Sequence, residues 1–238
     1  MTPPIVIIVA AGSGTRFGSE LPKQFLPLCG QPVLAHAIDA FRKALPEARI
    51  ITVLSSSMTP LWNNLCLSHG IEPTEIVAGG ESRWESVKNA IEAIADAPPS
   101  SIVLIHDGAR PLVDNGIITR AVAAARNTDG AIPAIPVTDS LRRLNSDEVH
   151  SEPVDRAPFR AVQTPQAFSL WRLREAYKLP YQPGFTDDAS VLAEAGFSNI
   201  VLVEGSPRNI KITTPVDMLL AEAIIKAYGS ANPTTLQR

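Results

Sequence analysis

The sequence predicts an α/β fold around a central parallel strand, and three observations support this prediction. Residues 5–9, IVIIV, are apolar without polar alternation, as is typical of a strand covered by helices on both faces. A segment of helical periodicity separates this run from a second β-rich run at 49–54, which gives a β-loop-α-β unit. With 238 residues, 45% of them hydrophobic, the chain can bury a large core in one domain, although its length would also permit two.

The remaining elements follow from the same patterns. A helix is predicted after Pro32. Proline is favourable at the start of a helix, because the N–H that it lacks would have no partner within the helix there. Further helices are predicted at 59–69, 81–95, 117–126, 170–177, from 186 onward and at 215–228, and further strands at 75–77, 102–105, 131–137, 199–203 and 209–213. Asp188 falls in a first helical turn, where an acid is favourable. Because proline cannot donate to a ladder, Pro133 and Pro136 predict that their strand leaves the sheet or lies at an edge.

A turn of small residues follows the first strand. It contains Ala10, Ala11, Gly12, Ser13 and Gly14, whose peptide N–H groups can approach an anion closely. The spacing of Gly12, Gly14 and Gly18 differs from the dinucleotide-binding fingerprint, and no Gly-Lys-Ser/Thr sequence closes the turn as in a P-loop. Arg16 and Lys23 accompany the turn and suit a polyphosphate. Taken alone, however, such residues more often form an ordinary strand-to-helix turn with two solvated cations.

Two later segments also end in polar residues suited to binding. A glycine pair ending at Gly80 leads into a predicted helix with Arg83 and Ser86 in its first turns, where N–H groups without partners could meet nucleotide oxygens. Asp107 and Arg110 follow the buried strand at 102–105. Ligands of doubly wound sheets bind at the carboxyl ends of strands, so this Asp and Arg are candidate site residues.

Lys211 is a third candidate cation. It interrupts the otherwise apolar run at 209–213, which alternates as a strand does. A lysine there either lies on a solvated face or points at an anion, and the two interpretations are equally supported by the residues themselves.

Residues 138–161 form a polar, turn-rich segment. Asn145, Ser146 and Asp147 lie between two stretches that can pair as a hairpin. An excursion of this length exceeds a common connection, so it is expected to be functional or to act as an oligomerisation arm.

Composition excludes several classes of partner. The formal net charge is −3 with no block of like charges, which argues against binding to nucleic acid or an anionic membrane surface. The N-terminal apolar segment has no basic leader and is far shorter than the roughly 20 residues of a membrane span. Cys29 and Cys66 show neither zinc-site nor disulfide spacing, which fits a reducing compartment. A soluble cytoplasmic protein is predicted.

The order of these motifs resembles that in the 2-C-methyl-D-erythritol 4-phosphate cytidylyltransferase family. Enzymes of this family catalyse the third step of the non-mevalonate isoprenoid pathway. The matching segments are 10–18 (AAGSGTRFG), 22–26 (PKQFL), Gly79-Gly80 with Arg83 and Ser86-Val87, 106–111 (HDGARP), 164–166 (TPQ), 186–188 (TDD) and 209–211 (NIK). The resemblance spans roughly residues 5–227. No single motif decides it, but the ordered set is highly specific.

The resemblance implies a nucleotidyltransferase-type three-layer sandwich with a twisted, mainly parallel sheet. It places a single domain at 1–228, a protruding β-arm at about 138–161 that interlocks a homodimer, and a flexible tail at 229–238. The implied reaction transfers CMP from CTP to the polyol phosphate, giving 4-diphosphocytidyl-2-C-methyl-D-erythritol and pyrophosphate. Mg²⁺ would bind mainly through the CTP phosphates.

The resemblance also implies roles for individual residues. The catalytic cations would be Arg16, Lys23 and Lys211. The nucleotide-binding residues would be Ala10, Ala11, Gly12, Gly14, Gly80, Arg83 and Ser86. The substrate-binding residues would be Asp107, Arg110, Ser140 and Arg156, with Asp107 as the one candidate protein ligand for the metal. Ser140 and Arg156 would reach the partner's acceptor, and Ser140 stands where the family usually has threonine.

Two alternatives remain at this point. A sister ribitol-5-phosphate cytidylyltransferase would share the loop, the cations and much of the arm, although the run at 106–111 is closer to the erythritol enzyme. A nucleotide-binding protein with a decayed site would share the fold, although all three candidate cations are intact.

Overall fold

A mixed, mostly parallel sheet forms the centre of the fold. The computed structural model describes residues 2–12 and 21–229. Its strands are β1 (Ile5–Val9), β2 (Pro27–Leu28), β3 (Gln31–Pro32), β4 (Arg49–Leu54), β5 (Glu75–Ala78), β6 (Ile102–Asp107), β7 (Gly130–Pro136), β8 (Leu141–Leu144), β9 (Ser151–Val154), β10 (Arg160–Val162), β11 (Gln166–Ser169) and β12 (Ile200–Glu204). Its α-helices are α1 (Val33–Ala44), α2 (Thr59–His69), α3 (Arg83–Ala93), α4 (Asn115–Ala125), α5 (Leu170–Ala176), α6 (Asp188–Glu194) and α7 (Pro215–Tyr228).

β1 lies at the middle of the sheet, as predicted. It pairs in parallel with β4 on one side and β6 on the other, and β5 continues the sheet beyond β4. Beyond β6 the direction changes, because β11 pairs antiparallel with both β6 and β7. β10 is also antiparallel to β7, whereas β12 is parallel to it. The carboxyl ends of β1 and β6 therefore meet at one edge of the sheet.

Helices cover both faces of this sheet and create two apolar layers. Val6 and Ile8 pack into the cluster that contains the inner faces of α1, α2 and α4. Ile5 and Ile7 pack into the cluster on the opposite face, with α3, α5 and α6. Because alternate β1 side chains enter different layers and both layers are apolar, the strand shows no polar alternation. The prediction of a three-layer α/β fold is confirmed.

The predicted edge position of the proline-containing strand is wrong. β7 has β12 along one side and β10 with β11 along the other. The carbonyl of Pro133 accepts from the N–H of Gln163, on the side where the ladder breaks between β10 and β11. Pro136 lies beyond the end of β12, whose last partner is Ala134. Each missing N–H therefore falls at a gap in the ladder, which lets an interior strand carry two prolines.

The predicted strand at 209–213 is also wrong, since these residues form a loop. Asn209 is fully buried, and its side-chain N–H₂ donates to the carbonyl of Thr164 at 2.9 Å. The N–H of Ile212 donates to the carbonyl of Ala109 at 2.8 Å. Ile212 is buried in a small cluster under α7, so its apolar character reflects packing against a helix. The sequence pattern also missed the short strands β2, β3 and β11.

The segment at 138–161 contains the predicted hairpin. β8 and β9 pair antiparallel in a sheet of their own, with the turn at 145–147 between them. Most of its side chains are exposed, including Leu144 and Val149. The segment is joined to the main sheet through β7 and β10, so it extends from one end of that sheet.

α7 closes the described part of the chain. Thr214 and Asp217 form a capping box at its start, and Gly229 follows its end with a φ of 75°. It is the longest described helix, with 14 residues. None of the helices within 2–12 and 21–229 has the length and apolar character needed to cross a membrane. The predicted tail, apart from Gly229, lies outside the described residues.

Candidate active site

A cleft of about 560 Å³ opens at the carboxyl ends of β1 and β6. Most of the predicted site residues line it, namely Ala10, Ala11, Gly12, Lys23, Gly80, Arg83, Ser86, Asp107 and Lys211. Val9, Gln24, Glu81, Ser82 and Ala109 complete the described lining. Residues distant in the chain thus converge at one place in the fold. Arg16 and Gly14 lie outside the described residues.

Asp107 is the electrostatic centre of the cleft. Its carboxylate lies 2.7 Å from Lys211 Nζ, 3.2 Å from Arg83 Nε and 3.9 Å from Arg110 Nε. Burial alone would raise the pKa of Asp107, but Arg83 and Lys211 outweigh it and hold that pKa well below its usual range. Asp107 is therefore an anion throughout the physiological pH range, and it fixes the cations around it.

Arg83 links this centre to a second buried carboxylate. Its Nη1 and Nη2 donate to the two oxygens of Asp188 at 3.1 and 2.8 Å, while its Nε donates to Asp107 at 3.2 Å. Burial opposes the charge, but Asp188 and Asp107 raise the pKa of Arg83 well above its ordinary value. Asp188 lies in the first turn of α6, as predicted, and its side chain has no exposed surface, so it is a buried ion-pair partner of Arg83.

Arg110 lies behind Asp107 and is absent from the described lining of the cleft. Its Nη1 donates to the carbonyl of Asn209 at 2.8 Å, and its side chain is only 12% exposed. Burial lowers the pKa of Arg110 below its ordinary value, although Asp107 acts in the opposite direction. In this chain Arg110 supports the segment that carries Lys211.

Gln24 holds the start of the glycine-rich turn, a role that the sequence did not reveal. Its side chain is buried, and its Nε2 donates to the carbonyls of Ala10 at 2.8 Å and Gly12 at 3.0 Å. It belongs to a short 3-10 turn, Lys23–Phe25, that also contains a cleft lysine. Its place in the segment 22–26, next to Lys23, is the sequence signal that could have pointed to it.

The N-terminus of α3 packs closely against the glycine-rich turn that follows β1. Ser82 caps the helix by accepting from the N–H of Glu85, and Ser86 Oγ accepts from the N–H of Gly80 at 3.1 Å. A Cβ on Gly79 would lie 2.4 Å from the Cβ of Ala11, so only glycine permits this approach. The predicted pairing of a glycine turn with a helix N-terminus is thus present beside the β1 turn.

Thr164 and His106 support Asp107 from behind. Thr164 Oγ1 accepts from the N–H of Asp107 and contacts His106 Nδ1, both at 3.0 Å. His106 Nε2 lies 3.0 Å from the carbonyl of Arg110. Burial lowers the pKa of His106 to about 4, so it is neutral at physiological pH. Residues of two segments thereby fix the backbone that carries Asp107.

Ser140 and Arg156 lie on the exposed segment and not along the cleft of the same chain. Arg156 Nη1 donates to the carbonyl of Thr138 at the base of this segment. Their predicted contact with a substrate held by a second subunit stays a prediction.

The described residues contain no cluster of three or more His, Cys, Asp or Glu side chains that could hold a metal ion. Asp107 and Glu81 are the carboxylates in the described lining of the cleft. Asp107 is already paired with cations, so a metal ion there would need ligands supplied by something other than the protein.

The chain is similar throughout to proteins of one family. Residues 5–227 match the model for IspD, 2-C-methyl-D-erythritol 4-phosphate cytidylyltransferase. A protein of that name from Bacteroides thetaiotaomicron is 44% identical over 221 residues, which cover 92% of this chain and 98% of the relative. Another from Cereibacter sphaeroides is 44% identical over 220 residues, covering 92% and 95%.

Solved structures agree with these matches. The crystal structure of 2-C-methyl-D-erythritol 4-phosphate cytidylyltransferase from Thermus thermophilus superposes with a TM-score of 0.72 at 33% identity, covering 95% of this chain and 100% of that one. The bifunctional IspDF of Campylobacter jejuni gives a TM-score of 0.75 at 29% identity, with 53% of its chain covered. This protein therefore belongs to the 2-C-methyl-D-erythritol 4-phosphate cytidylyltransferase family and is a nucleotidyltransferase.

Proposed function

We propose that this protein transfers CMP from CTP to 2-C-methyl-D-erythritol 4-phosphate, giving 4-diphosphocytidyl-2-C-methyl-D-erythritol and pyrophosphate, a step in isoprenoid biosynthesis. The observation that carries the proposal is the convergence of Arg83 and Lys211 on Asp107, in a cleft that Lys23 and the start of the glycine-rich turn also line. Membership of the family supplies the identity of the two substrates.

The chemistry needs no protein nucleophile. A phosphate oxygen of the acceptor is already anionic at neutral pH and can attack the α-phosphorus of CTP in line. The new P–O bond forms as the bond from the α-phosphorus to the pyrophosphate oxygen breaks, and pyrophosphate leaves with the bonding electrons. The protein must then position the reactants and compensate the charge that develops on the phosphoryl oxygens.

Lys23, Lys211 and Arg16 are the proposed source of that compensation. Lys211 approaches from the loop after β12, and Lys23 comes from the turn after β1, so the two ammonium groups reach the cleft from different segments. Arg16 lies in the part of the glycine-rich turn that the structure does not describe. Charges held in place before reaction stabilise the transition state without a reorganisation cost.

The cytidine is proposed to lie against α3. Gly80 and Ser86 are at the N-terminus of this helix, next to Ala11 of the β1 turn, and Arg83 lies on the same first turn. The backbone N–H of Gly12, with Gly14 in the undescribed part, would serve the phosphates. The N–H of Ala10 already donates to the carbonyl of Val53, so Ala10 and Ala11 would contact the base. Asp107 and Arg110 would lie towards the ribose and the acceptor.

Mg²⁺ is proposed to accompany CTP, with Asp107 as the candidate protein ligand. Bound there, the ion would neutralise the charge of the triphosphate. A hard, octahedral ion usually retains several waters and takes its remaining ligands from phosphates, which fits a cleft lined by few carboxylates. Asp107 itself holds Lys211 and Arg83 in place.

The exposed segment at 138–161 is proposed to be the arm of a homodimer. Leu144, Val149 and Phe159 are large apolar side chains left exposed in the single chain, and burying them against a partner would be favourable. Ser140 and Arg156 would then contact the acceptor bound by the other subunit. Both cysteines are free, and we expect the enzyme to work in the reducing cytoplasm.

Pyrophosphate release tests this function directly. The protein is incubated with Mg²⁺, each of the four nucleoside triphosphates and either methylerythritol 4-phosphate or ribitol 5-phosphate, and the product is identified by mass. We expect release only with CTP and methylerythritol 4-phosphate. Turnover restricted to ribitol 5-phosphate would establish the sister activity, and CTP binding without any release would indicate a nucleotide-binding protein.

A further inference from the structure

The guanidinium of Arg83 is oriented by carboxylates on two other segments. Its two Nη atoms donate to both oxygens of Asp188, and its Nε donates to Asp107. A guanidinium carries five N–H groups. Three are used in these bonds, so within residues 2–12 and 21–229 two remain for other partners, and the side chain is still 30% exposed where it lines the cleft.

Asp188 is fully enclosed and is not among the residues that line the cleft. Its Oδ1 also accepts a 2.7 Å hydrogen bond from the hydroxyl of Tyr177. Burial, with Asp188 next in importance, raises the pKa of Tyr177, so the hydroxyl keeps its proton and donates. The ring of Tyr177 stacks on Trp84 at 5.6 Å, and this tryptophan directly follows Arg83 in α3.

We propose that Asp188 is a positioning residue for CTP, which fixes the Arg83 guanidinium in the cleft and is itself held by Tyr177. The inference rests on the proposed function, because it assigns Arg83 to the nucleotide. A two-point ion pair fixes the plane of the guanidinium as well as its position. Without Asp188, Arg83 would keep its bond to Asp107 but lose the contact that sets its orientation.

A purely structural role is the competing explanation. The pair joins the start of α3 to the start of α6, and a buried ion pair that loses one partner destabilises a fold. The two explanations differ in kinetics. Loss of fold stability lowers the melting temperature without a selective effect on one substrate, whereas loss of Arg83 orientation raises the KM for CTP and leaves the KM for the acceptor unchanged.

The test compares Asp188→Asn with its neighbour, Asp187→Ala. Asp187 caps α6 by accepting from the N–H of Ser190 and also accepts from Gln166, but it makes no hydrogen bond to Arg83. Both variants should lower the melting temperature. We expect Asp188→Asn to raise the KM for CTP by at least about tenfold, and Asp187→Ala to leave it within about twofold.

Tyr177→Phe provides a milder second variant. It removes the hydroxyl bond to Asp188 and keeps the aromatic ring on Trp84, so the KM for CTP should rise by about two- to fivefold with the acceptor KM unchanged. If Asp188→Asn does not yield folded protein, the change of the KM for CTP in Tyr177→Phe tests the proposal instead.

A double variant tests whether Asp188 acts through Arg83. In the Arg83→Lys background, which has already lost the two-point geometry, Asp188→Asn should have little further effect on the KM for CTP.

Two results would overturn the proposal. One is a CTP KM within twofold of wild type in Asp188→Asn, or in Tyr177→Phe where that variant decides. The other is an equal rise for CTP and acceptor. Failure of the proposed function would be distinguishable, because the unmodified protein would then release no pyrophosphate from CTP and methylerythritol 4-phosphate.

Discussion

Lys211 Nζ lies 2.7 Å from Asp107 Oδ2, which joins a loop near the end of the chain to the carboxyl end of β6. The loop is fastened on both sides of the lysine, by the Asn209 side chain on Thr164 and by the Ile212 N–H on Ala109. Hydrogen bonds on both sides of the lysine thus hold an irregular segment in place. Preorganisation of this kind is what a charged transition state requires.

Lys211→Met removes the ammonium group and keeps most of the apolar stem. We expect kcat to fall by on the order of 10²-fold, as for loss of one preorganised charged donor. Lys226→Met is the matched control, because Lys226 lies on α7 and its side chain is 73% exposed. Steady-state pyrophosphate release measures both. A Lys211→Met enzyme as fast as the control would remove Lys211 from the catalytic set.

Lys23→Ala is expected to have a similar effect. Its kcat should fall by on the order of 10²-fold or more, because Lys23 lines the cleft beside the glycine-rich turn. Lys43→Ala, on the exposed side of α1, serves as the control. Arg16→Ala should match Lys23→Ala in size if it belongs to the same set. Near-normal turnover in both cleft variants would refute the assignment.

The sequence predicted best the strands that are buried on both faces and the helices whose ends are marked by proline and glycine. β1 and β4 were bounded correctly because both faces of each strand are largely buried, and α2 and α7 because proline and glycine mark their ends. The prediction failed for β7, because the gaps that accommodate its prolines arise from strands further along the chain.

The site was predictable where a motif carries its own chemistry, and not where a role depends on a distant contact. The glycine turns and the cations Lys23 and Lys211 could be identified, and they line the cleft. Gln24 and Asp188 could not be assigned roles, because an amide or acid reveals its partner only after folding. The hydrogen bond from Arg110 to the carbonyl of Asn209, which supports the Lys211 loop, was not evident from the sequence for the same reason.

Arg156→Ala tests whether the arm contributes to acceptor binding. We expect the KM for methylerythritol 4-phosphate to rise by about tenfold or more, because a charge-assisted contact to the substrate phosphate would be lost. The KM for CTP should change little. Arg143→Ala is a matched control in the same exposed segment, where Arg143 of β8 pairs with Glu152 of β9 on the surface.

Oligomeric state is measured alongside, by sedimentation, so that loss of the dimer is separated from loss of a contact. A dimeric Arg156→Ala enzyme with a raised CTP KM and a normal acceptor KM would exclude the arm from the acceptor site. Monomeric wild-type protein with full activity would contradict the proposed exchange of arms.

His106 should make stability depend on pH between about 4 and 6.5. Its pKa is about 4 in the folded protein and 6.5 when unperturbed, because burial disfavours the imidazolium. In this window the unfolded chain binds the proton and the folded chain does not, so stability falls as pH is lowered. The lowered pKa of Asp107 acts in the same direction but at lower pH, since its unperturbed value is 3.8.

Urea unfolding at pH 7.5 and 4.5 measures this contribution. A shift from 6.5 to about 4 corresponds to a loss of about 2 to 3 kcal/mol of unfolding free energy at pH 4.5. His106→Gln should lower the stability at pH 7.5 but flatten its decline towards pH 4.5, because glutamine does not titrate. His69→Gln, at an exposed position, should retain the wild-type decline. If His106→Gln declines as steeply as wild type, another group must be responsible for the acid sensitivity, and the buried histidine must be able to accept a proton without loss of the fold.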